Sequence, residues 1–331
     1  MKLVFFEVEE WEKPIIEAAF PDAHLVPEKL SPENASQFTE MEVASSFIYS
    51  SFSKQVLDKL PHLKMIATRS TGYDHIEMEE TKRREICVVN VPEYGSITVA
   101  EHTFALIINL TRKIYQSVNQ AKQLHFDHYN LKGVDLYGKT LGIIGLGKIG
   151  SHVVRIAKGF GMNVLVTNRT HHQKLAKEMG FEYVELPQLL AQSDVVSLHL
   201  PYNEHTRHTI NTENILQMKK GSYLVNTARG GLIQTEAIMK ALEEDILEGV
   251  GLDVLEGEND MTEETEVLTN RFRKKEDLKT LVLNHILINH HKVLITPHNA
   301  FNSTEALMRI ENTTIDNIQN YLKGTPKNCI I

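Results

Sequence analysis

Short apolar runs recur along the chain. They are separated by stretches in which apolar positions return every three or four residues. The runs have the length of buried strands and the stretches the period of helices packed on them. In the first third, Leu3–Phe6, Phe47–Tyr49, Leu63–Ala67 and Cys87–Asn90 predict strands, and Ser53–Leu60 predicts a helix after the turn at Ser50-Ser51. Further on, Leu141–Ile144, Val164–Thr167, Val195–Leu200, Tyr223–Asn226, Val250–Val254 and Val293–Thr296 predict strands, with helices between them such as Thr235–Glu243. This rhythm predicts an α/β protein built on doubly wound parallel sheets. A long helix from about Thr98 to Leu124, with Ala100, Phe104, Ile107, Ile108 and Leu110 on its apolar side, is expected to carry the chain from one domain into the next. A final helix over Ser303–Leu322 ends at Gly324. The mixed charges of Arg271–Asp277 mark a solvated face, to which no chemistry is assigned.

One strand leads into a glycine fingerprint. Leu141-Gly142-Ile143-Ile144 is followed by Gly145-Leu146-Gly147-Lys148-Ile149-Gly150 and then by a helical pattern from Ser151. Strand, glycine turn and helix is the order that dinucleotide binding requires. Gly145 permits the tight turn, Gly147 lets backbone amides approach a pyrophosphate, and Gly150 lets the helix pack closely on its strand. A large domain must precede this Rossmann unit, and 331 residues are ample for two cores.

Composition narrows the function classes. A formal charge of −8 gives no footing for nucleic acid or an anionic membrane. No apolar run approaches membrane-spanning length, and the N-terminal run is too short and too acidic at its end for a signal peptide. Two cysteines, Cys87 and Cys329, far apart and outside any C-x-x-C pair, fit a reducing compartment and a cytoplasmic protein. His205 and His208, and the pair His290-His291, lack partners at metal-ligand spacing, so no metal is expected.

Reducing a 2-oxo acid with a nicotinamide needs a cation for the carboxylate, a proton donor for the emerging alkoxide, and a group that tunes the donor. Three turns at expected strand ends carry such groups: Arg229 in Asn226-Thr227-Ala228-Arg229-Gly230, Glu258 after Gly251-Leu252-Asp253-Val254, and His298 in Thr296-Pro297-His298. In open α/β sheets ligands gather beyond the carboxyl ends of the strands. Glu256 competes with Glu258, which the motif spacing favours.

These motifs in this order, with Val99-Ala100-Glu101-His102 before them, resemble the D-isomer-specific 2-hydroxyacid dehydrogenases over nearly the whole chain. The resemblance implies a flavodoxin-like substrate domain of residues 1–99 and 299–331, a Rossmann nucleotide domain of residues 100–298, and a homodimer. It implies that Arg229 holds the substrate carboxylate and that His298 is the acid in reduction and the base in oxidation. Glu258 would accept a hydrogen bond from His298 and stabilise its imidazolium. Asp253 would support the nucleotide site, and Lys148, Ile149, Leu200, Pro201, Thr206, Thr227 and Ala228 would line the cofactor.

The long run from Glu258 to His298, Asn259 where many members carry Pro, Phe301 and Tyr94 resemble the D-lactate dehydrogenase branch. Backbone amides of Ser70, Thr71 and Gly72 could take the substrate carboxylate, and Tyr49 could close the far side or pack in the core. The expected reaction is reversible hydride transfer between NAD(P)H and a small 2-oxo acid, with pyruvate and D-lactate favoured. A glyoxylate or hydroxypyruvate reductase, or a nucleotide-sensing corepressor on the same fold, are the alternatives. The second Rossmann strand departs from the NAD pattern: it ends in Thr167-Asn168-Arg169-Thr170, with no carboxylate for the ribose hydroxyls. That loss relieves repulsion of a 2′-phosphate, with which Arg169 can pair, so NADP(H) is favoured and NAD(H) remains open.

Overall fold

The computed structural model describes residues 2–257 and 275–330. The chain divides into two compact units, Met1–Tyr94 with Asn302–Ile331, and Gly95–Phe301. Glu258, expected at the site, Asn259 beside it, and Arg271–Lys274 of the charged segment lie outside the described residues.

In the first unit, strands β1 (Leu3–Phe5), β2 (His24–Leu25), β3 (Val43–Ser46), β4 (Met65–Thr68) and β5 (Cys87–Val89) form a parallel sheet in the order β2-β1-β3-β4-β5. This is the flavodoxin-like order, which reverses direction between β1 and β3. Alternation along the strands serves two cores. Val4, Ala44, Ile66 and Val88 enter one, and Phe5, Val43, Met65, Ala67 and Val89 the other. The helix Thr304–Leu322, capped by Ser303 through the backbone N–H of Ala306, adds Ile318 and Tyr321 to the second core.

The strand expected at Phe47–Tyr49 is instead Val43–Ser46. All four of its residues are buried, but two are serines, so it carries no apolar run. Phe47–Tyr49 belongs to the loop beyond it, and Tyr49 is 64 % exposed rather than packed in the core.

The second unit holds a seven-stranded parallel sheet. Its strands are β6 (Thr140–Ile144), β7 (Asn163–Thr167), β8 (Glu182–Tyr183), β9 (Val195–Leu198), β10 (Ser222–Asn226), β11 (Leu247–Leu252) and β12 (Val293–Ile295). The order β12-β11-β10-β9-β6-β7-β8 places the Rossmann switch point between β6 and β9. The single helix expected over 98–124 is two, Ser96–Arg112 and Ile114–Lys122, broken at Lys113 in left-handed backbone (φ 52°). The first buries Val99, Ala100, Phe104, Leu106, Ile107 and Leu110, and the second buries nothing. Among the described residues no helix is long and apolar enough to cross a membrane.

Candidate active site

The glycine turn at the end of β6 has the shape a dinucleotide needs. Gly145 has φ +99°, and a Cβ there would lie 2.7 Å from the His199 carbonyl. A Cβ on Gly150 would lie 2.4 Å from the Gly145 carbonyl, so the helix Lys148–Gly159 meets the turn only as glycine. At Gly147 nothing lies within 4 Å, which leaves open space above the helix N-terminus. Gly147, the N-cap, has no side chain to cap that terminus, so its first amides and dipole suit a pyrophosphate. The glycine cradle therefore fits the nucleotide that the fingerprint implies.

Neighbouring loops brace the cradle. His199, unremarked in the sequence, follows β9 and bonds Ser197 Oγ through Nε2 at 2.9 Å. Burial lowers its pKa to about 3, so the ring is neutral. Leu200 packs toward Gly145. Thr206 closes its own loop, donating to the Pro201 carbonyl (2.7 Å) and accepting from the Asn203 N–H (2.8 Å). Thr227 is buried and shares a hydroxyl hydrogen bond of 2.9 Å with Thr103.

At the end of β7, Asn168 occupies the position that would carry the ribose-binding acid. Its carboxamide accepts from the Leu146 N–H (3.1 Å) and donates to the Thr170 carbonyl (2.7 Å), tying the second strand to the glycine turn. Arg169 and Thr170 are exposed, and no described residue pairs with the Arg169 guanidinium. His171 stacks on Tyr183 with ring centroids 4.3 Å apart.

Other strand ends of the same sheet carry Arg229 and His298. Buried Asn226 staples the β10 turn, accepting from the Ala228 N–H (3.0 Å) and donating to the Arg229 carbonyl (2.9 Å). Arg229 is thereby presented exposed at the strand's carboxyl end, with its guanidinium donating to the Ala228 carbonyl at 2.8 Å.

Two strands away, a buried carboxylate builds the histidine turn. Asp253 accepts from Thr296 Oγ1 (2.5 Å) and from the N–H groups of Asn299 (2.8 Å) and Ala300 (2.9 Å). The Asp253 carbonyl accepts from the His298 N–H at 2.9 Å. His102 bonds Thr296 at 3.0 Å and lies 3.5 Å from the Asp253 carboxylate. His298 sits on this turn at φ 50°, a strained conformation for a side-chain-bearing residue. Asp253, expected at the cofactor, is thus spent on the turn that carries His298. Glu256, the competitor of Glu258, binds His208 (2.5 Å) and caps Thr235. Among the described residues no group of three or more side chains could hold a metal.

In the first unit, loops gather beyond the carboxyl ends of β1, β3, β4 and β5. The β4 loop follows Arg69, a buried guanidinium that donates to the carbonyls of Phe6 (2.9 Å) and Glu7 (2.8 Å). Glu7, at φ 57°, accepts from the N–H groups of Tyr49 (3.1 Å) and Ser50 (2.8 Å). Arg69 therefore fixes Glu7, and Glu7 fixes the Tyr49 turn. Nothing in the sequence marked Glu7. Ser70 and Thr71 anchor their hydroxyls on the Gly72 (2.6 Å) and Val91 (2.7 Å) carbonyls. Among the described residues no backbone carbonyl accepts from the N–H of Ser70, Thr71 or Gly72, an arrangement suited to an anion. Tyr94 offers its carbonyl to Arg309 at 2.7 Å. Phe301, in the second unit, packs near Gly95.

A Rossmann unit with a phosphate cradle, an arginine after one strand and a strained histidine after another defines a nicotinamide-dependent dehydrogenase. The profile of the D-isomer specific 2-hydroxyacid dehydrogenase NAD binding domain matches residues 104–300. The D-lactate dehydrogenase of Escherichia coli K12 is 36 % identical over 297 residues, spanning 89 % of this chain and 88 % of that one. The apo structure of the Escherichia coli enzyme superposes with a TM-score of 0.87 over 100 % of both chains. A D-lactate dehydrogenase from Aquifex aeolicus, solved with NAD and lactic acid, is 35 % identical, with a TM-score of 0.84 over 98 % of this chain and 96 % of that one. An acyclic imino acid reductase, Bsp5, solved with NADPH and D-Arg, is 28 % identical, with a TM-score of 0.79 over 100 % of both chains. The chain belongs to the D-isomer specific 2-hydroxyacid dehydrogenase family.

Proposed function

We propose that this dehydrogenase interconverts pyruvate and D-lactate, accepts NADP(H), and works as a cytosolic homodimer. The observation that carries the reading is the pair of stapled turns, Arg229 held by Asn226 and His298 held by Asp253. When bound, the reduced nicotinamide supplies the hydride.

The chain's own groups do the rest. Arg229 holds the substrate carboxylate through its planar fork and draws charge toward the carbonyl. His298 donates a proton to the carbonyl oxygen as it becomes the alcohol, and takes it back in oxidation. Glu258 orients His298 and stabilises its charged form. The amides of Ser70–Gly72, from which no described carbonyl accepts, suit a carboxylate, and Tyr49, Tyr94 and Phe301 supply apolar surface suited to a methyl side chain. The cradle of Gly145–Gly150, with Lys148, Ile149, Leu200, Pro201, Thr206, Thr227 and Ala228 around it, holds the nucleotide.

Preference for NADP(H) is supported by Asn168, whose carboxamide puts no charge beside the ribose, and by the exposed Arg169 next to it. The homodimer is supported by an unusual surface. The helix Ile114–Lys122 buries none of its residues, and Tyr115 within it and Leu124, Phe126 and Tyr129 just after it stand exposed.

The test is pyruvate-dependent oxidation of NADPH and NADH, assayed in parallel. Turnover with NADPH is expected, falling about 10²–10⁴-fold in His298→Gln. Arg169→Ala should raise the KM for NADPH about tenfold or more and leave NADH alone. Equal behaviour of Arg169→Ala and wild type with both nucleotides defeats the NADP(H) reading. Turnover with glyoxylate or hydroxypyruvate but not pyruvate defeats the pocket reading and keeps the chemistry.

A further inference from the structure

The chain has only two cysteines, at positions 87 and 329, and the fold brings them together. Cys87 opens β5, the edge strand of the five-stranded sheet. Beyond the last helix the tail turns back and lies antiparallel against that edge. Val89 pairs with Cys329, flanked by hydrogen bonds from the Ile330 N–H to the Val88 carbonyl (2.8 Å) and from the Asn90 N–H to the Asn328 carbonyl (3.3 Å). In such a ladder residues two apart share a face, so Cys87 stands diagonally beside Cys329. Cys329 is one of the groups that raise the pKa of the Cys87 thiol, as expected of a close neighbour.

We propose that Cys87 and Cys329 are an oxidation site, closing to a disulfide that fastens the C-terminal tail to the edge of the substrate-unit sheet. The inference rests on the first unit alone and does not depend on the substrate or the nucleotide.

The oxidant is a low-molecular-weight disulfide, such as oxidised glutathione. Cys329, which is exposed, attacks one of its sulfurs as the thiolate. One glutathione thiolate leaves, and a mixed disulfide remains on Cys329. Cys87 then loses its proton and attacks the Cys329 sulfur, expelling the second glutathione. Two protein thiols lose two electrons and two protons, and the oxidant gains both as two thiols.

The order of attack follows from the surroundings. Cys87 is half-buried, and burial beside Cys329 pushes its thiol up to about 12, so it is a poor first nucleophile in water. Once Cys329 is activated, Cys87 stands diagonally across the pairing from it, on the same face. The tail is otherwise attached lightly. Its described attachments include the two backbone bonds, Ile330 against the core, and a relay in which Asn328 donates to Asn317 (2.8 Å) and Asn317 to the Asn90 carbonyl (2.9 Å). Asn90 in turn donates to the Thr71 carbonyl at 2.9 Å, so the tail connects to the β4 loop.

The experiment treats the full native chain with oxidised glutathione, blocks free thiols, and maps the cysteines by mass spectrometry. The expected product has lost two hydrogens and yields one reducible peptide pair joining Cys87 to Cys329. Cys87→Ser should instead keep glutathione on Cys329. A mixed disulfide that persists on Cys329 in the wild type, or a Cys329–Cys329 link between chains, overturns the proposal. Oxidised protein should melt about 5 °C above reduced protein, and Cys329→Ser should abolish the difference. Disulfide formation with no change in melting would overturn the fastening of the tail.

Discussion

Arg69 is the most instructive single residue. It is buried with two carboxyls, Glu12 and Glu311, each 3.6 Å from its Nε. One guanidinium balances one carboxylate, so the buried set is neutral only if the other carboxyl keeps a proton. Burial raises Glu311 from 4.5 to about 8, with the neighbouring Glu12 carboxyl adding to the shift and Arg69 opposing it. The raised value fixes the sign of a pH effect. Between pH 4.5 and about 8 the folded chain holds a proton that the unfolded chain lacks. Its stabilising effect is therefore fully present below 4.5 and is lost as pH rises toward 8. Glu311→Gln, neutral throughout, should flatten this decline in urea unfolding midpoints and exceed the wild type in stability at alkaline pH. A variant whose slope matches the wild type would refute the shared proton. This triad was not legible from residue order, because its members are separated by most of the chain and charged residues read as surface.

At the scale of elements, the site is made where strands end. Asp253 follows β11 directly, and its N–H donates to the Asn226 carbonyl at the end of β10 (2.9 Å). Its carboxylate holds the turn after β12, so one residue ties three strand ends together. Asp253→Asn replaces an acceptor with an NH₂ that faces backbone N–H groups. The expected loss is about 1.5–3 kcal/mol of stability in the second unit, with kcat falling more than the KM for pyruvate as the His298 turn loosens. A kcat equal to wild type would show that the turn holds without the carboxylate.

Much of this level was legible in the sequence. The glycine turn, the helix Thr235–Glu243, and Arg229 and His298 at strand ends stand where their motifs put them. The misses share a cause. Val43–Ser46 is buried without being apolar, because its serines sit in a central strand. The break at Lys113 has no glycine or proline to announce it; the buried face of the first helix simply stops at Thr111. Asn226 and Asp253 were visible as motif residues, but their partners are backbone groups, and backbone geometry is not written in residue type.

For the whole molecule, the unburied helix Ile114–Lys122 and the aromatic residues after it predict an assembly. Phe126 and Tyr129 are 82 % and 72 % exposed, more than an isolated soluble surface usually allows for neighbouring aromatics. Phe126→Glu with Tyr129→Glu should convert a dimer into a monomer in sedimentation velocity, while far-UV circular dichroism stays unchanged. A monomeric wild type would remove this surface from the argument.

The division of the chain also sets an order in time. The first unit is written in two pieces, 1–94 and 302–331, whereas the second is continuous. A ribosome delivers the first piece early, yet Ile318 and Tyr321, which complete one of its cores, emerge only after the whole second unit. The nascent first unit must wait, one of its cores incomplete, until the second has been synthesised in full. Chaperone demand should peak in that interval, and pulse-labelled hydrogen exchange during refolding should find the continuous unit protected first.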